Sequence, residues 1–75
     1  MTPEAAFGEV LRELRQANSF SQEALAQESG LDRTYISLLE RGLRQPTLNT
    51  QIALSKALNV SLVRLIQRVQ DKLQN

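Results

Sequence analysis

The chain has 75 residues, of which 41% are hydrophobic, and carries nine basic and eight acidic side chains but no histidine and no cysteine. A chain of this length supports one small core, burying about 60% of its unfolded surface, so a single domain over residues 1–75 is expected and a separate effector-binding domain is not. The absence of cysteine excludes a disulfide framework and a thiolate metal site, and no apolar run approaches the ~20 residues needed to cross a bilayer, so a cytoplasmic protein without membrane contact is expected.

Net charge is only +1, but it is unevenly spread. Residues 1–32 carry Arg12 and Arg15 against six acids, a balance of −4, whereas residues 33–75 carry seven bases against Glu40 and Asp71, a balance of +5. Basic charge in the second half suits contact with phosphates, with solvated helix faces as the alternative.

Pro3 and Glu4 open a first helix, where proline is tolerated and an acid complements the helix dipole. Phe7, Leu11 and Leu14, with Val10 and Ala17 beside them, form its core stripe. Gly8 lowers helix propensity by up to ~1 kcal/mol relative to alanine and so suggests a close approach by another element. Asn18 and Ser19 end this helix, and Phe20 packs ahead of Ser21, which caps a second helix ending near Ser29. Gly30 supplies the positive φ that closes it, Leu31 plugs the turn, and Asp32 caps a third helix running to about Arg41, where Gly42 stops it.

On that third helix Ile36 and Leu39 point one way, flanked by Tyr35 and Asp32, while Arg33, Thr34, Ser37, Leu38 and Arg41 point the other. Arginine can fork to guanine, hydroxyls can donate or accept, and leucine can pack on a thymine methyl, so the outer row is equipped to read base edges. After the loop through Arg44 and Pro46, Thr47 caps a fourth helix from Leu48 to about Leu58, with apolar surface from Leu48, Ile52, Leu54 and Leu58. Its free first-turn amides, with Asn49 and Thr50 nearby, suit an anion. Asn59 and Val60 link to Ser61, the cap of a last helix bearing Leu62, Leu65, Ile66, Val69 and Leu73. That stripe is longer than a small core can cover, and together with Val63 it suggests pairing with a second copy; a frayed amphipathic tail is the alternative.

Ser21-Gln22, Leu25-Ala26, Gly30, Ile36, Leu39-Glu40-Arg41-Gly42 and Pro46 together resemble the helix-turn-helix of the lambda-repressor-like (XRE) family over about residues 7–66. Leu31-Asp32-Arg33-Thr34-Tyr35-Ile36-Ser37 is most similar to the restriction-modification controller branch. The resemblance implies an all-α, compact five-helix domain whose second and third helices form the helix-turn-helix. It implies base reading by Arg33, Thr34, Tyr35, Ser37 and Leu38, with Tyr35 at the groove edge. Phosphate contacts fall to Gln22, Arg41, Arg44, Thr47 and Asn49, an ion pair to Arg15 and Glu40, and a dimer interface to Leu62, Val63, Ile66 and Val69. Gln51 stands where the family more often has leucine, a departure whose role the sequence leaves open.

The function implied is a homodimeric, sequence-specific regulator of transcription on palindromic double-stranded DNA, without cofactor or evident small-molecule effector. An interaction module such as an antitoxin, gripping a partner protein through the last helix, is the alternative. An enzyme is disfavoured by the lack of histidine, cysteine, a paired-acid pocket and a glycine-rich phosphate loop. Single-stranded RNA binding lacks stacking platforms, because Phe7 and Phe20 are needed inside and only Tyr35 is left.

Overall fold

In a computed structural model, which describes residues 1–74, the chain forms five α-helices, and no strand occurs among the described residues. They are α1 (Pro3–Ala17), α2 (Gln22–Ser29), α3 (Arg33–Glu40), α4 (Leu48–Ala57) and α5 (Leu62–Gln74). The boundaries follow local chemistry. Thr2, Ser21, Asp32, Thr47 and Ser61 each accept a hydrogen bond from the amide three residues on, satisfying a donor that the helix cannot. At the other ends, Gly30 adopts φ 73° after α2 and Gly42 φ 72° after α3, the left-handed turn that side chains disfavour. Ser19 and Asn59 take φ 58° and 55° in the links after α1 and α4, without glycine.

Helix α1 lies across α3 and α5, while α2 packs on α3 and α4, and α4 in turn on α5. Val10, Leu11, Leu25, Ile36, Leu39, Leu54 and Leu65 are fully enclosed at the centre. Gly8 sits where α1 meets the end of α3: a Cβ built there would lie 2.5 Å from the Leu39 carbonyl oxygen and 2.6 Å from that of Glu40. The glycine is therefore a packing requirement.

Several expected core positions lie elsewhere. Ala17 is exposed at the last turn of α1, and Leu48 is exposed at the first turn of α4, where the core does not reach. Leu31 is only half-buried, packed against the edge of the cluster. Thr50 occupies the buried first-turn position of α4, its hydroxyl satisfied by that of Thr47 at 2.9 Å. Gln51 has a role as well: its amide donates to the Pro46 carbonyl at 3.3 Å, tying α4 to the loop that precedes it.

Candidate nucleic-acid interface

The third helix is fixed by its inner side. Ile36 and Leu39 are fully buried, and the Asp32 carboxylate caps the helix start by accepting from the Tyr35 amide at 3.3 Å. This leaves Arg33, Thr34 and Arg41 exposed and Ser37 and Leu38 partly so, on the face away from the core. Arg33, Thr34, Ser37 and Leu38 make no side-chain hydrogen bond within the chain among the described residues, so donors, acceptors and an apolar tip are all available there. Tyr35 lies on the flank between the two faces. It is half-buried against the core, and its hydroxyl lies 3.4 Å from that of Thr50 on α4.

The end of α3 is anchored by a buried carboxylate. Glu40, whose side chain has no exposed surface, receives Arg15 Nε at 2.6 Å and Arg15 Nη2 at 3.1 Å, a two-pronged grip. Gln22 Nε2 donates to the same carboxylate at 3.1 Å and Arg12 Nε reaches it at 3.5 Å. Burial opposes ionisation of Glu40, but the hydrogen bonds from Arg15 and Gln22 and the Arg15 charge outweigh it and hold the carboxyl below its usual range. The same contact raises the Arg15 guanidinium above its ordinary value. No buried side-chain nitrogen or oxygen among the described residues lacks a partner, so the network is complete.

Gln22, read from the sequence as a free phosphate ligand, thus has part of its donor capacity committed inward. Arg44 is exposed in the loop and folds one terminal nitrogen back on the Leu43 carbonyl at 3.0 Å. Thr47 and Asn49 are exposed at the start of α4, but the Thr47 hydroxyl already serves as the helix cap. Arg12 was missed by sequence reasoning. Its signal was present, because it sits three residues before Arg15 and hence on the same helix face.

The basic excess of residues 33–75 is partly consumed internally. Arg68 and Lys72 on α5 bridge to Glu13 at 2.9 Å and 2.7 Å, and Lys72 also reaches Glu9 at 3.4 Å. These two bases face α1 and are not a phosphate-binding row. The hydrogen bond from Lys72, aided by Arg68, holds Glu13 below the usual carboxylate range and raises Lys72 in return.

On the outer face of α5, Val63 is 77% exposed and Ile66 40%, and with Leu62, Gln67 and Gln70 they line a shallow groove of about 360 Å³. Val69 does not join that exposed row. It is buried in the chain's own core, near Phe7 and Pro46 at a smaller open cleft of about 160 Å³ lined by α1, α5, Gln51 and the loop before α4.

Comparison with known proteins agrees with this geometry. The helix-turn-helix family model HTH_3 matches residues 11–65. Control protein C.SmaI of Serratia marcescens is 52% identical over 60 residues, covering 80% of this chain and 71% of that protein. The crystal structure of the restriction-modification controller protein C.AhdI from Aeromonas hydrophila superposes with a TM-score of 0.80 at 45% identity, over 83% of this chain and 94% of that one. The controller protein C.Esp1396I, solved as a tetramer in complex with its natural 35 base-pair operator, matches with a TM-score of 0.90 at 31% identity, over 100% of this chain and 99% of its own.

Proposed function

Because the chain belongs to the HTH_3 helix-turn-helix family, we propose that it is a sequence-specific double-stranded DNA-binding regulator of transcription, acting as a homodimer on a palindromic operator. The observation that carries this reading is the two-sided third helix: Ile36 and Leu39 hold it, and Arg33, Thr34, Ser37 and Leu38 are presented away from the body. In this reading those four side chains enter the major groove, with Arg33 forking to a guanine. Arg41, Arg44, Asn49, the amides at the start of α4 and the outward part of Gln22 meet phosphates and fix register. Tyr35 contributes from the margin, its hydroxyl within 3.4 Å of that of Thr50 on α4.

The 75 residues act as one DNA-binding unit in which α5 also supplies the self-association surface through Leu62, Val63 and Ile66. Two copies would then present two reading helices about 34 Å apart, one per half-site. The mode of action is occupancy of DNA near promoters, in the cytoplasm and without a cofactor or a catalytic step. A restriction-modification controller acting on its own operon is the specific form that the 52% identity to C.SmaI supports.

Selection of bound duplexes from a random pool tests this. Enrichment of a two-fold symmetric site, bound with Kd on the order of 10⁻⁸ to 10⁻¹¹ M and with a salt slope of about −5 if six phosphates are neutralised, is the expected result. A pool that stays random after repeated rounds would sink the proposal.

A further inference from the structure

Around Glu40 two guanidinium groups face one carboxylate, so the cluster carries one surplus positive charge. The two arginines are not equivalent. Arg15 is 13% exposed and has every side-chain nitrogen engaged, Nε and Nη2 with Glu40 and Nη1 with the Phe20 carbonyl at 2.9 Å. Arg12 is 52% exposed, touches Glu40 Oε1 through Nε alone at 3.5 Å, and has no other acceptor among the described residues. Gln22 Nε2 donates to that same oxygen at 3.1 Å, which sets Arg12 of α1 beside the first residue of α2.

We propose that Arg12 is a further phosphate ligand of the interface, placed next to Glu40 by one long contact and working beside Gln22. The inference rests on the DNA-binding reading above. A guanidinium touched only at Nε leaves both terminal nitrogens without an acceptor among the described residues, a planar fork that matches two oxygens of a phosphate. Glu40 Oε1 already receives Arg15 and Gln22, so it holds Arg12 weakly and leaves its charge unspent. Arg15 and Glu40 thereby do the structural work, while Arg12 carries the surplus charge outward from a part of the chain whose sum is −4.

The test compares wild type, Arg12→Gln and Arg12→Lys in the 75-residue chain. Binding is measured by fluorescence anisotropy over a salt series, on a duplex selected by the wild type and on a scrambled duplex of equal length. Thermal melting is followed in parallel. The expected result is that Arg12→Gln weakens both duplexes by a similar factor, on the order of tenfold, and flattens the log K against log salt slope by about 0.9 for each phosphate that is no longer neutralised. Arg12→Lys keeps the slope and recovers part of the affinity, and the melting temperature stays put because Arg15 and Gln22 still satisfy Glu40. Wild-type affinity and slope in Arg12→Gln would overturn the proposal. So would a lowered melting temperature with an unchanged slope, which makes Arg12 a brace only, or a weakening confined to the selected duplex, which makes it a base reader. If the wild type itself binds no duplex, the DNA reading fails and this inference falls with it.

Discussion

Glu40 shows how one side chain can be both a cost and a fastener. Removing a carboxylate from water is unfavourable, and it is tolerated here because Arg15, Gln22 and Arg12 converge on its two oxygens. Its folded-state pKa lies below the ordinary value, so the folded protein takes up this proton less readily than the unfolded chain. The stability it contributes is complete above the usual carboxylate pKa of about 4.3 and is lost as pH falls through the lower folded value. Melting temperatures followed by circular dichroism should therefore be level from pH 7 to about 5.5 and fall below about 4.5, with a shallower fall in Glu40→Gln. Glu40→Ala strands the Arg15 guanidinium and should cost about 3–5 kcal/mol in urea denaturation. A cost under about 1 kcal/mol would mean that Arg15 finds water as readily as it found Glu40. On the outer face of α3, Arg33→Ala should weaken binding to the selected duplex by about 1–3 kcal/mol and relax base choice at one position per half-site. Equal weakening on every sequence would assign Arg33 to the backbone.

Between elements, the tightest fit is that of α1 on α3. Alanine at position 8 would drive its methyl against the Leu39 and Glu40 carbonyls, backbone atoms that cannot rotate away. Gly8→Ala should therefore destabilise by about 1–3 kcal/mol despite the up to ~1 kcal/mol that alanine gains in helix propensity. A variant that melts higher would show that α1 can slide. Much of this level is legible in the sequence, because caps and breakers are local: Ser21, Asp32, Thr47, Ser61, Gly30 and Gly42 each act within four residues of themselves. Pairings that link distant segments are less legible. Periodicity places Val69 on the apolar side of α5 but cannot say that α1 extends far enough to cover it while leaving Ile66 open. Charge patterning likewise counts Arg68 and Lys72 as available to phosphate, whereas Glu9 and Glu13, some 55 to 63 residues earlier, are their partners. On α3 the inward and outward sides fall where periodicity puts them, and the flanking Tyr35 is half-buried with its hydroxyl beside that of Thr50, a partner that periodicity does not name.

At the scale of the whole molecule, the apolar surface of α5 separates two kinds of substitution. Val63→Glu or Ile66→Glu should leave the monomer folded and shift sedimentation toward the single-chain mass, because both side chains lie open. Val69→Glu should instead unfold the chain, by about 3 kcal/mol or more, since its carboxylate would enter the core without a partner. An unchanged sedimentation mass in the first pair would remove α5 from any self-association. The bridges from Glu9 and Glu13 to Arg68 and Lys72, together with the glycine contact at the end of α3, join α5 to α1 and α1 to α3 without a hinge between them. In the proposed dimer, two such bodies joined through α5 would act as a caliper with a fixed gap. Adding one base pair to the spacer between half-sites turns one of them by about 35° and moves it about 3.4 Å, a change that the contacts tying α1 to α3 and α5 resist.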